Sequence, residues 1–158
     1  MEVTELATLL TSKHQTVSVA EACTCGLVGY MLSTVPGSSR FFPGGVIAYT
    51  GGLKQSVLGV PDELYETSGS VSAEMAISMA KGVKQLTGTD YGISTTGVTG
   101  PTQGKSTLPI GTFYIGLVVP DDLEIAELIH TDTGERDGNK RQASQAVIDL
   151  LGKTVYGT

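Results

Sequence analysis

The order of strands and helices is the sequence feature that most narrows the fold. A short β-branched run, TVSVA (16–20), predicts a strand, and CGLVGYMLSTV (25–35) predicts a helix that stops at Pro36. GGVIAYTGG (44–52) predicts a buried strand between glycine pairs, and residues 72–88 predict a longer helix. Strands and helices that alternate in this way are typical of an α/β layer with parallel strands.

The remaining segments add helices at both ends and an antiparallel part to the sheet. Residues 2–13 and 53–60 predict helices, and a last helix begins at 135. Three further strands are predicted over 91–98, 111–120 and 123–131, the last two joined by a hairpin turn. We therefore expect one α/β domain over residues 1–158, with a mixed β-sheet flanked by helices.

Charge and cysteine content argue against several classes of protein. The net charge of −6 argues against a nucleic-acid partner, because duplex binding needs a basic face. Cys23 and Cys25 are too close in sequence for an ordinary disulfide, which fits a reducing compartment. The chain starts without a basic region ahead of an apolar one, and no apolar run approaches 18 residues. We therefore expect a cytoplasmic protein that does not engage a membrane.

The junction AEACTCG (20–26) is the first candidate site. Cys23 and Cys25 resemble half of a metal site, but the two histidines lie in unrelated segments, so we predict no metal. Cys25 at a helix start could be a reactive thiolate, whereas a small buried cysteine is the alternative for each thiol. Glu21 could cap the helix through its backbone amides, hold a ligand or be solvated.

Three later segments also combine polar groups with strand ends. Lys54 follows an apolar run, and a desolvated lysine can act as a base. The local sequence alone instead favours an exposed position for Lys54 and a buried one for Tyr49. Residues 95–104 combine hydroxyls and glycines after a strand, so their backbone N–H groups could approach an anion. The alternative is a glycine turn with only a structural role. Arg136 lies with further cations at the start of the last helix. This basic cluster could be a solvated surface or could bind a phosphate.

The order and the amino-acid sequences of these segments resemble those of a known family. SVAEACTCGLV, VPGSSRFFPGGVIAYTGGLKQSVLGV, GSVSAEMAISMAKG, TTGVTGP, PIGTFYIGL and GERDGNKRQA together resemble the CinA C-terminal domain family, which includes nicotinamide mononucleotide deamidases. The resemblance covers about residues 4–152. It implies a three-layer domain, a homo-oligomer, and hydrolysis of nicotinamide mononucleotide to nicotinate mononucleotide and ammonia, with no cofactor.

The resemblance also implies roles for individual residues. Lys54 falls on the base that activates a serine nucleophile, Tyr49 on its hydroxyl partner, and Thr96 on the threonine before the glycine turn. The implied substrate contacts are Glu21, Thr24, Ser39, Gly45, Gly97, Gly100 and Arg136.

The sequence departs from the family pattern where the chemistry would occur. The family motif AESCTGG appears here as AEACTCG, so Ala22 occupies the nucleophile's position and Cys25 replaces a glycine. Gly51 and Leu108 replace an asparagine and a lysine of the pattern, and residues 102–103 alter its glycine loop. A methyl group cannot attack a carbonyl, and loss of a nucleophile commonly removes several orders of magnitude in rate.

Three interpretations follow from Ala22. The first is an amidohydrolase that is impaired, or that uses Cys23, Thr24, Cys25 or water activated by Lys54. The second is a catalytically silent homologue that binds a nucleotide-like ligand as a regulator. The third, a purely structural oligomerisation module, is the least favoured because Tyr49, Lys54, Thr96 and Arg136 are all present.

Overall fold

A five-stranded sheet forms the centre of the protein. The computed structural model describes residues 1–157. The strands are β1 (Val17–Glu21), β2 (Gly44–Ile47), β3 (Tyr91–Gly97), β4 (Thr112–Val118) and β5 (Glu124–His130). Their spatial order is β2-β1-β3-β4-β5, in which β1 is parallel to β2 and β3, and β4 is antiparallel to β3 and β5. The predicted mixed sheet and its terminal hairpin are confirmed.

Helices cover both faces of this sheet. They are α1 (Val3–Ser12), α2 (Leu27–Ser33), α3 (Gly51–Ser56), α4 (Asp62–Thr67), α5 (Ala73–Thr87) and α6 (Arg136–Gly157), with a 3-10 turn at Ser38–Arg40. The apolar sides of α1, α2 and α6 pack on one face, and α5 packs on the other, which gives three layers. Within residues 1–157, no helix combines the length and apolar character needed to cross a membrane.

Glycines on two central strands allow α5 to lie unusually close to the sheet. A β-carbon added to Gly92 would lie 2.1 Å from the carbonyl oxygen of Ala80, and one added to Gly116 would lie 2.5 Å from that of Ala76. Both separations are far below van der Waals contact, so these positions require glycine. The close packing fixes α5, and with it the loop that precedes α5, against the strand ends.

Predictions at the β2 edge are wrong in three respects. The strand ends at Ile47, and its residues alternate between half-buried and exposed, because β2 is the outermost strand. Helix α3 begins at Gly51, not at residue 53. This early turn leaves Tyr49 51% exposed and directs Lys54 inward, where it is 3% exposed. The local sequence had predicted a core tyrosine and a surface lysine.

Candidate active site

A cavity lies at the C-terminal ends of β1 and β3. The connection from β1 to β2 runs over one face of the sheet, and the connection from β2 to β3 runs over the other. Ligands of open α/β sheets bind in the crevice that such a reversal creates. The cavity has a volume of about 580 Å³, which lies within the range of about 300–1,000 Å³ that is usual for small-molecule sites.

Positive charge dominates the wall of this cavity. Lys54, Lys105 and Arg136 line it, whereas no aspartate or glutamate among residues 1–157 does. The whole chain carries a net charge of −6, so the cavity has the opposite sign to the rest of the molecule. A concave site with charges of one sign attracts ligands of the other, and this one therefore suits an anion.

Ala22 and Cys23 form the part of the wall that follows β1. The Ala22 N–H donates to the Thr95 carbonyl oxygen at 3.0 Å, which fixes the backbone and leaves only a methyl group for the cavity. Burial raises the pKa of the Cys23 thiol to about 12. Cys23 is therefore protonated at neutral pH and is not a nucleophile there, because the thiolate is the reactive form.

Lys54 projects from α3 into the same cavity. Burial lowers the pKa of its amine, partly opposed by the charge that Cys23 would carry as a thiolate. Within residues 1–157, no hydrogen bond or ion pair holds the Lys54 Nζ atom. A desolvated and unpaired amine can lose its proton more readily than an exposed lysine, and it then serves as a base or a nucleophile.

Thr96 connects the end of β3 to the loop before α5. Its hydroxyl donates to the Ser70 carbonyl oxygen at 2.6 Å, and residues 68–71 line the cavity beside it. Two residues along the chain, the Val98 N–H donates to the Thr112 carbonyl oxygen at 2.8 Å. In this arrangement both protons are used within the protein, so neither is directed at a ligand.

Arg136 joins two sides of the cavity mouth. Its Nη2 atom donates to the Tyr49 hydroxyl at 2.9 Å, and its Nη1 atom donates to the Thr99 hydroxyl and to the Gly100 carbonyl oxygen. Asn139, one turn along α6, donates from Nδ2 to the Thr99 carbonyl oxygen at 3.1 Å. The guanidinium group is thus held in one orientation beside the cavity. A planar cation fixed in this way is suited to binding an anion.

Comparison with known proteins identifies this arrangement. The model of the CinA C-terminal domain matches residues 2–155. The chain belongs to the CinA C-terminal domain family. A CinA-like protein of Dictyoglomus thermophilum is 46% identical over 90% of this chain, and one of Cyanothece sp. is 42% identical over 92%. These alignments cover 34% and 35% of the two relatives, so the chain spans about a third of the length of the curated relatives it matches.

Solved structures of CinA proteins share the fold. The competence damage-inducible protein A (ComA) of Klebsiella pneumoniae superposes with a TM-score of 0.93 at 23% identity, covering 98% of this chain and 94% of that one. The competence/damage inducible protein CihA of Agrobacterium tumefaciens gives a TM-score of 0.83 at 27% identity, covering 96% and 94%. The three-layer architecture is therefore that of the CinA superfamily.

The CinA cavity brings together only part of the site expected from sequence. The predicted residues that line it are Ala22, Tyr49, Lys54, Thr96, Gly97 and Arg136. The predicted residues outside its wall are Glu21, Thr24, Ser39, Gly45 and Gly100. The first group lines one cavity, and the roles assigned to both groups by resemblance stay predictions.

Glu21 holds the strand–helix junction together. Its carboxylate is 1% exposed and accepts hydrogen bonds from the backbone N–H groups of Gly26, Val28 and Gly29 at 3.0, 3.1 and 2.8 Å. It also accepts from the Thr24 hydroxyl at 2.6 Å. Of the three roles open to Glu21, the structure shows capping of the helix start, which leaves the carboxylate no free side for a ligand.

The other positions outside the wall have structural surroundings. A β-carbon on Gly45 would lie 2.3 Å from the Val19 carbonyl oxygen, so glycine is required for the β1–β2 contact. Gly100 has a φ of +82° and offers its carbonyl to Arg136. Ser39 is exposed in the 3-10 turn. Cys25 is exposed, has a φ of +51° and does not line the cavity.

Sequence analysis missed residues 68–71 and 105–107 of the cavity wall. These residues belong to two loops, 68–71 and 102–108, that line the cavity. The second loop is braced by a hydrogen bond of 2.8 Å from Gln103 Nε2 to the Leu108 carbonyl oxygen, and it carries Lys105. The Ser-Gly-Ser run after α4 was the available signal for the first loop. Across residues 1–157, no three His, Cys, Asp or Glu side chains cluster closely enough to hold a metal ion.

Proposed function

We propose that the protein is a nicotinamide-nucleotide amidohydrolase-type member of the family whose cavity binds nicotinamide mononucleotide but turns it over slowly or not at all. The observation that carries the proposal is the cationic wall. Lys54, Lys105 and Arg136 face a cavity of about 580 Å³ with no carboxylate among residues 1–157, in an acidic chain. A mononucleotide phosphate matches that charge, and bidentate pairing with a guanidinium group suits it.

We propose impaired turnover because each candidate nucleophile is unreactive or lies outside the cavity wall. Ala22 offers a methyl group, the thiol of Cys23 has a pKa of about 12, and Cys25 lies off the cavity wall. The Thr24 hydroxyl donates to Glu21 at 2.6 Å, so its proton is already used. Water activated by Lys54 is the remaining route to hydrolysis, since burial lowers the pKa of that amine.

The decisive experiment is Ala22→Ser, assayed for ammonia release from nicotinamide mononucleotide. We expect the variant to exceed the wild type by several orders of magnitude, because it places a hydroxyl in the cavity that Lys54 also lines, which restores a nucleophile and its base. Ala22→Ser combined with Lys54→Met is the matched control and should lose the gain. Wild-type turnover at the rate of Ala22→Ser would contradict the proposed impairment.

A second candidate function is a silent regulator that binds a nucleotide, supported by the same cationic wall without its nucleophile. Calorimetric titration of the wild type with nicotinamide mononucleotide tests binding separately from chemistry. Heat of binding together with an inactive Ala22→Ser variant would favour the regulator. No heat and no thermal shift would contradict both functions.

Location and assembly belong to the same proposal. We expect a cytoplasmic protein, which two free cysteines support. We also expect self-association, supported by exposed apolar side chains at the β2 edge, where Ile47 is 50% and Leu53 43% exposed. Sedimentation velocity of the purified chain checks the oligomer, and a monomer at micromolar concentration would contradict it.

A further inference from the structure

The amine of Lys54 has an unusual environment for a lysine. Its side chain is 3% exposed, lines the cavity, and has no hydrogen-bond or ion-pair partner anywhere in residues 1–157. Ala22, which follows β1 and lines the same cavity, contributes only a methyl group. Buried polar groups normally have partners, so an unpaired amine that faces a cavity is available to a ligand.

Other lysines differ from Lys54 in this respect. Lys81 Nζ lies 2.8 Å from Glu124 Oε1, and Lys84 Nζ lies 2.6 Å from Asp122 Oδ1. The contact with Glu124 raises the pKa of Lys81 and favours its ammonium form, which has no lone pair and is not a nucleophile. The Nζ atom of Lys84 is occupied by its contact with Asp122. Lys105 lies on the cavity wall but is exposed to water. Lys54 alone of these four combines burial, a lowered pKa and a free cavity face.

We infer that Lys54 forms an imine with a small anionic aldehyde bound in this cavity. Arg136 and Lys105 supply the charge that holds the anionic group, and Lys54 supplies the amine. The inference rests on the anion binding proposed above, although it does not depend on deamidation. It adds a covalent reaction, and a carbonyl class of ligand, to a cavity in which the hydrolytic nucleophile is missing.

The reaction balances without an oxidant or reductant. The neutral amine attacks the aldehyde carbon, a C–N bond forms, and the carbonyl oxygen receives a proton to give a carbinolamine. The nitrogen lone pair then expels the hydroxyl group, which leaves with a proton as water. The product is a C=N bond between the ligand carbon and Lys54 Nζ. Three properties of the site favour it: a buried, unpaired amine whose pKa is lowered by burial, a fixed cation for the ligand, and a wall without competing carboxylates.

Pyridoxal 5′-phosphate is a suitable probe, because it combines an aldehyde with a phosphate. The protein is incubated with one equivalent, reduced with borohydride to fix any imine, and analysed by peptide mass mapping. Each unit by which a pKa is lowered raises the neutral fraction of an amine about tenfold at neutral pH. Burial lowers the pKa of Lys54, so we expect more adduct at Lys54 than at exposed Lys105. Pyridoxal, which lacks the phosphate, should give much less adduct at Lys54.

Two variants and one competitor complete the test. Lys54→Arg keeps the positive charge but cannot form an imine, so it should lose the adduct. Lys13→Arg, at an exposed position outside the cavity, should keep it. Excess nicotinamide mononucleotide should suppress labelling of the wild type, a result that needs no variant to fold.

The outcomes separate this inference from the proposed function. Equal labelling of all exposed lysines, or preferential labelling of Lys105, would overturn imine formation at Lys54. If nicotinamide mononucleotide binds by calorimetry while borohydride fixes no adduct at Lys54, only the imine inference fails. If neither the nucleotide nor the aldehyde binds, the proposed anion site itself fails, and the imine with it.

Discussion

Replacing Glu21 with alanine should damage the site more through its framework than through its chemistry. The carboxylate accepts four hydrogen bonds, three from backbone N–H groups of the segment that leads into α2 and one from Thr24. Alanine accepts none of them, so three backbone donors lose their partner at a buried junction. The Thr24 hydroxyl, which lies 2.6 Å from the Thr95 hydroxyl, loses the acceptor that orients it.

The magnitude follows from these contacts. A hydrogen bond to a charged group contributes about 1.5–3 kcal/mol, and a buried donor left unpaired costs about 1–3 kcal/mol. Relaxation of the segment and entry of water recover part of the four-bond total. We expect the free energy of unfolding to fall by about 3–5 kcal/mol, which is less than the sum of four such bonds because relaxation offsets part of the loss. With a urea m-value of about 2 kcal/mol/M, the midpoint should fall by about 2 M.

Urea unfolding followed by circular dichroism measures this change. Glu66→Ala is the matched control, because Glu66 is an exposed helical glutamate, and its substitution should change stability by less than about 0.5 kcal/mol. Glu21→Gln keeps the shape and one acceptor oxygen, so it should fall between the two. A Glu21→Ala variant within about 1 kcal/mol of the wild type would refute the view that this carboxylate supports the junction.

Three further changes test the cavity. Arg136→Lys should weaken binding of nicotinamide mononucleotide about 10- to 100-fold by calorimetry, because an ammonium group cannot contact Tyr49, Thr99 and a ligand in one plane; unchanged affinity would remove Arg136 from the site. Iodoacetamide at neutral pH should modify exposed Cys25 and spare Cys23, whose thiol has a pKa of about 12, and peptide mapping distinguishes the two. Lys54→Met should raise stability by about 0.5–2 kcal/mol at neutral pH, because burying the ammonium group is unfavourable. The pKa of Lys54 is lowered from 10.5 in the folded state, so the folded protein loses this proton first as the pH rises. The advantage of methionine should therefore shrink toward pH 10.5, and an advantage that grows with pH in urea titrations would contradict the assignment.

The fold was largely predictable because its main elements have strong periodic patterns. Helices α1, α5 and α6 and the three later strands lie close to their expected ranges. The prediction of a buried strand over residues 44–52 was wrong, because an apolar run indicates hydrophobicity and not the position of a strand in the sheet. An edge strand needs only half its residues buried, and β2 alternates in this way before it ends at Ile47. The position at which β2 ends determines that the side chain of Tyr49 is exposed and that of Lys54 is buried.

The candidate site was predictable only in part, for a related reason. Motif order located Lys54, Tyr49, Thr96 and Arg136, which the fold brings to one cavity. It could not show that the Glu21 carboxylate is used up by backbone donors, because those bonds depend on the local path of the chain. The contribution of residues 102–108 depends on how that loop folds back over the strand ends.

The contacts of Arg136 have a kinetic consequence. The guanidinium group connects Tyr49 and Gly100, which are far apart in sequence, through hydrogen bonds within the protein itself. Ligand association then needs no slow ordering of the cavity mouth. An anion should bind in a single phase whose observed rate rises linearly with concentration, without the plateau that marks a preceding conformational step.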